Sequence, residues 1–234
     1  MGFPSLVPLP MPILSSRPLL LAAVLASTAC TPSPDSEGPP QPTGGDPGAA
    51  KAAVTHEARA TSSPPAHAFS ETPPGIALAA VPGMELRRDF TRSYLTLDGW
   101  KLFDASGRTG SPLAALVLDG SNEVTAAELR VGRSDDAGAV ADCLAPPAEA
   151  TGPVDTVDIG GVSFTHFPVG DAAMSHYVSA DSYRAVQHGR CYAIDLVVAG
   201  TRPEVYDPPR EPPFSNELAN RKLRDALSSI HWIK

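Results

Sequence analysis

The chain of 234 residues carries a formal net charge of −8, a pI near 5.2, 42% hydrophobic residues and three cysteines, Cys30, Cys143 and Cys191. Its acidic balance excludes the basic, phosphate-tracking surface that nucleic-acid binders need, and it argues against electrostatic docking on anionic lipid. The apolar fraction supports a packed core, and the length allows one ordinary domain with further segments attached.

The first element is an apolar run, Leu19 to Ala29, that stops at Cys30. At about a dozen residues it is shorter than the roughly 20 needed to span a bilayer, and it has the proportions of a signal-peptide core. Arg17 supplies the preceding positive charge, and Ser27-Thr28-Ala29 supply the small residues before Cys30. This stretch resembles the lipobox of bacterial lipoproteins, with Ser27 standing where Leu is commonest. The resemblance implies cleavage after residue 29, diacylglyceryl modification of Cys30 and attachment to the membrane through that lipid. An ordinary cleaved signal and an uncleaved anchor are the alternatives. Thr31 follows the cysteine in place of the Asp that retains lipoproteins in the inner membrane, which points to the outer membrane and to a domain facing the periplasm. Residues 1–10 are uncharged and broken by prolines, whereas Met11 opens a compact signal, so Met11 is the expected start of translation.

Residues 30–75 are expected to form a tether. Positions 31–75 hold ten prolines, five glycines and a single aromatic, Phe69, too little apolar surface to offset the entropy of ordering. Such a segment reaches roughly 40 Å as a coil and about 140 Å as polyproline II.

From residue 76 to residue 234 the pattern is that of one globular domain. Tyr94–Leu97, Leu113–Leu118 and Glu128–Val131 read as strands, with Pro112 at a strand start. The stretch SDDAGAVADCL predicts a short helix capped by Ser134. Between Val154 and Val198, turn signals at Gly160-Gly161, Ala180-Asp181 and His188-Gly189 predict a five-stranded antiparallel meander. The register places Val186 opposite Cys191, Ala185 opposite Tyr192 and Tyr183 opposite Ile194. A final helix follows, capped by Ser215, with Ala219, Leu223, Ala226, Leu227 and Ile230 on one stripe. The fold class expected is α+β: a curved antiparallel meander sheet with helices packed on one face. This order of elements, with a last helix running into His231-Trp232-Ile233-Lys234, resembles the PsbP-like fold. That likeness implies a lipid-tethered or lumenal binding or assembly factor and not an enzyme.

Export would place Cys143 and Cys191 in an oxidising compartment, so a structural disulfide between them is the expected state, with two buried thiols or a redox or metal pair as alternatives. His166 and His176 lie on neighbouring segments and are expected to point to the apolar face as buried, hydrogen-bonded side chains; they are also the candidate ligand or metal residues. No metal-binding histidine motif accompanies them, and no cofactor is implied. Arg184 falls diagonal to Asp195, which predicts a cross-strand ion pair, because an Asp within CYAIDLVV cannot be buried unpaired. No nucleophile elbow or phosphate loop is present in the sequence. These features lead to a lipid-anchored envelope lipoprotein that binds an unknown envelope protein or small ligand or assists assembly. The alternative is an envelope hydrolase or metal-dependent enzyme with an unrecognised site.

Overall fold

A computed structural model of the chain describes residues 67–94, 97–104 and 109–234. The expected signal segment 1–29, the expected start at Met11, Cys30 and most of the expected tether lie outside these residues.

Strands dominate. A seven-stranded antiparallel sheet has the order β3 (Met84–Arg87), β4 (Ser111–Leu118), β5 (Thr125–Ser134), β9 (Arg190–Thr201), β8 (His176–Gln187), β7 (Val162–Ala173), β6 (Asp155–Ile159). A three-stranded antiparallel sheet pairs β1 (His67–Ser70), β2 (Gly75–Ala79) and β10 (Ile230–Ile233), with β2 in the centre. Among the described residues, helices α1 (Ala137–Ala141) and α2 (Asn216–Ser228) and a 3-10 turn at Pro203–Val205 complete the fold. The folded part therefore begins by residue 67, since β1 falls within the segment expected to be tether.

The chain passes from β5 to the far edge of the large sheet and returns through β6, β7, β8 and β9. This meander has four strands, not the expected five. Ala180-Asp181 is no turn: β8 runs unbroken through it, paired on both sides, and the hairpin turn falls at Met174-Ser175. The other two turns are where the sequence puts them. Gly160 and Gly161 both adopt positive φ, as do His188 and Gly189, the backbone that a two-residue hairpin of this type requires. The β8–β9 register pairs Val186 with Cys191, Ala185 with Tyr192 and Tyr183 with Ile194, as predicted.

One face of the large sheet builds the main core. Leu116, Leu129, Phe164, Tyr192 and Ile194 pack there against Ile76, Leu78 and Ile230 of the small sheet and against Ala219, Leu223 and Ala226 of α2. Ser215 caps α2, accepting the Leu218 N–H at 3.2 Å, and Phe214 is buried beside it. Trp232 ties the small sheet to the large one, donating its indole N–H to the Ile159 carbonyl at 3.2 Å and meeting Tyr192 edge-on at 4.9 Å.

The expected layer of helices on one face is not what forms. Only α2 lies on the core face, shared with the small sheet. The short α1 packs through Ala139 beside Cys191 and Ala193, which point from β9 to the opposite face. The cap of α1 is Asp136, accepting from the Ala139 N–H at 2.8 Å, while Ser134 belongs to β5. Tyr94–Leu97 forms no strand among its described residues; the edge of the sheet is taken by Met84–Arg87 instead. Cys143 and Cys191 are joined in a disulfide across a sequence separation of 48. Ser134 pairs with Cys191 at the β5–β9 end, so the turn through α1 brings Cys143 back to its partner. Closing such a loop is worth about 4 kcal/mol on the chain-entropy account.

Candidate functional site

The second face of the large sheet, away from α2, is built of charge. Alternation along β5 sends Ala127, Leu129 and Val131 to the core and Glu128 and Arg130 to this side. On β9 the same rule sends Asp195 here, and on β8 Ser182 and Arg184. All five are at most 2% exposed. Residues 88–94 and 97–104, which form no helix or extended strand, lie across them as a strap.

The charges pair within the sheet. Arg184 donates to Asp195 Oδ1 at 2.8 Å and to the carbonyls of Tyr183 and Ile194 at 3.0 and 3.2 Å. This is the predicted cross-strand pair, here completely buried. Ser182 donates its hydroxyl to the same carboxylate at 2.6 Å. Arg130, directly across from Asp195 on β5, donates to Glu128 through Nε at 2.9 Å and also through Nη2. Arg92 of the strap reaches Glu128 Oε2 at 2.8 Å. Three guanidinium groups thus meet two carboxylates, and Asp89 at the rim supplies the third, 3.3 Å from Arg92. Aromatic rings finish the enclosure: Phe90 covers Arg130 at 5.0 Å and Phe167 lies under Arg184 at 5.6 Å. Tyr94 lies near this layer, and burial first and Glu128 second push its phenol up from the ordinary value.

Beside the charges lies an apolar strip. Leu102 of the strap packs with Phe167, Val169, Ala180, Val197 and Ala199, and Leu97, Phe103 and Val178 close its edge. Where the strap meets the β7–β8 hairpin, a cleft of about 340 Å³ opens to solvent, walled by Tyr94, Leu97, Ala173, Tyr177 and Val178 with Asp171 and His176 at its polar side.

The two candidate histidines come apart. The uninterrupted β8 sets its parity so that His176 faces the strap side, while His166, paired with Tyr183, faces the core side. They share no site, and neither is a buried core residue. His176 is exposed and bonds through Nδ1 to the Thr201 hydroxyl at 3.0 Å. His166 is half-buried, stacked on Tyr183 at 4.7 Å, with Nδ1 2.7 Å from Asp155 and Nε2 3.2 Å from Asp181. Both its ring nitrogens are therefore engaged by carboxylates. Among the described residues no three His, Cys, Asp or Glu side chains gather to hold a metal ion, and no helix is long and apolar enough to cross a membrane.

Sequence reasoning found Arg184 and Asp195 but missed Glu128, Arg130 and Arg92. The alternation in β5 reads equally well as a solvent-facing polar side, and only the covering strap makes it interior. No family model and no curated protein matches this chain.

Proposed function

We propose that this chain is a lipid-anchored lipoprotein of the bacterial cell envelope, held in the outer membrane through Cys30, whose periplasmic domain binds a partner protein or small ligand. The anchor rests on the run from Leu19 to Cys30, and the Cys143–Cys191 disulfide accords with export to an oxidising compartment. Binding rests on one observation above the others: the cleft between the strap and the β7–β8 hairpin, which has mostly apolar walls and a few polar groups, Asp171 and His176 among them. That combination is what recognition sites for small ligands and anchoring side chains share. The β-rich scaffold with a terminal helix supports an α+β, PsbP-like binding factor by analogy of architecture.

Palmitate labelling in cells together with membrane crosslinking tests both parts. Wild-type chain should take up label and capture a partner. Cys30→Ala should lose the label, and label retained by that variant would overturn the anchor. Tyr177→Ala with His176→Ala, both in the cleft, should lose the captured species while keeping the label; capture unchanged by the pair would overturn the cleft as the binding site.

A further inference from the structure

The carboxylates on the strap face of the large sheet are not all treated alike. Asp195 and Glu128 are each held by a guanidinium, from Arg184 and Arg130. Asp171 lies further along β7, on the side of Phe167 and Val169, and has no hydrogen-bond or ion-pair partner among the described residues. It stands in the lining of the cleft, diagonal to His176 across the β7–β8 hairpin. His176 bonds through Nδ1 to the Thr201 hydroxyl at 3.0 Å, which steadies its ring at the edge of the cleft.

The rest of the lining is aromatic or apolar, with Tyr94 and Tyr177, Leu97 and Val178 as its larger walls. Among the described residues, no lysine or arginine lines the cleft. The Asp171 carboxylate therefore meets no cation from the cleft's own walls. These features select a ligand. A carboxylate beside apolar walls attracts a cation more strongly than it would in open water, and the electron-rich faces of tyrosine rings attract the same charge. An anion would be repelled by Asp171 and would find no guanidinium to hold it. A ligand of hydrocarbon alone would strip water from the carboxylate and give it no partner in return. The cleft's volume of about 340 Å³ lies at the small end of the range for ligand pockets, which suits a small molecule. The chain's net charge of −8 adds attraction for cations at longer range.

From these observations we infer that the cleft binds a small alkylammonium ligand, with its ammonium at Asp171 and the Tyr94 and Tyr177 rings and its hydrocarbon stem along Leu97 and Val178. The inference rests on the cleft reading proposed above, for which it names the ligand class, and it is independent of the anchor.

The probe is n-hexylammonium, titrated into the isotope-labelled full chain with the Tyr177 and Val178 amide resonances as reporters. The controls n-hexanol and n-hexanoate carry the same stem. Hexylammonium should shift both reporters and bind at least about tenfold more tightly than hexanol, with hexanoate the weakest of the three. Added salt should narrow the gap between the amine and the alcohol. Asp171→Asn keeps the shape and removes the charge at an exposed position, so folding is not at stake. It should bring hexylammonium to within about twofold of hexanol. Tyr177→Leu keeps an apolar wall without the ring and should weaken hexylammonium about threefold more than hexanol. Hexanol binding as tightly as hexylammonium, or a preference for the amine that survives Asp171→Asn, overturns the ligand class and leaves the cleft standing as a binding site. Reporters that respond to none of the three also overturn the ligand class, and the cleft is then judged by its own crosslinking result. Equal binding of Nα-acetyl-lysine methylamide and hexylammonium would assign the cleft to a lysine of a partner protein and overturn a small molecule as its occupant.

Discussion

The two faces of the seven-stranded sheet are built on opposite principles. The core face meets α2 and the small sheet through Leu129, Ile194, Phe164 and Leu223, with aromatic contacts from Trp232 at its margin. The strap face meets an irregular segment through Glu128, Arg130, Arg184 and Asp195, with a smaller apolar strip under Leu102 beside them. Apolar burial stabilises in proportion to area and tolerates loose geometry, whereas buried ion pairs add little net stability and demand defined partners. The first face holds the domain together. The second specifies one arrangement of a segment that has no regular hydrogen-bonded structure of its own.

That contrast can be broken most sharply at Asp195. Asp195→Ala leaves Arg184 charged and buried without its carboxylate and should destabilise the domain by about 3–5 kcal/mol, measured by urea unfolding. Replacing both members, Arg184→Met with Asp195→Leu, should recover the part of that loss due to the unpaired charge, while the Ser182 hydroxyl and the Leu102 N–H remain without their acceptor. A double variant as unstable as the single one would mean that the pair itself is a major source of stability, and the two faces would not differ as described.

On the other face, Leu223→Ala removes a fully buried side chain of α2 and should cost about 3 kcal/mol. Here no second apolar substitution can restore the loss, because the deficit is volume and not charge. Recovery of stability by a polar replacement at Leu223 would refute the assignment of this face as the core.

The smallest effect expected at neutral pH concerns Tyr183, at the boundary of the core with the His166 cluster. Burial first, and Asp181 and Asp155 second, push its phenol up to about 12. The folded value lies above the unfolded one near 10, so this contribution is fully present below about pH 10 and is lost as pH rises through about 12. Stability measured across that window should fall less steeply in Tyr183→Phe. Tyr94 and Tyr192, also raised by burial, account for alkaline sensitivity that remains. An unchanged slope in Tyr183→Phe would place the phenol in solvent and detach it from the core.

Much of the fold was legible because turn chemistry and alternation are local. Gly160-Gly161 and His188-Gly189 carry their own conformational signal, and the second of them sets the β8–β9 register and with it the Arg184–Asp195 pair. No turn forms at Ala180-Asp181, and neither residue takes the positive φ found at the true hairpins. The unbroken strand sets the parity of His176, which lies on the strap face. The helix cap moved from Ser134 to Asp136 because β5 continues to its last residue in register with β9.

The sequence by itself determined that the domain is a set of antiparallel strands with a late helix capped at Ser215, and that Asp195 needs a cation. These follow from composition, period and local turn geometry, which neighbouring residues settle among themselves. Only the tertiary structure decided that Glu128 and Arg130 are interior. A polar side of a strand looks the same whether water or another segment faces it, and what faces this one comes from residues 88–94 and 97–104, with contacts such as the Leu102 N–H to Asp195 that no local pattern records.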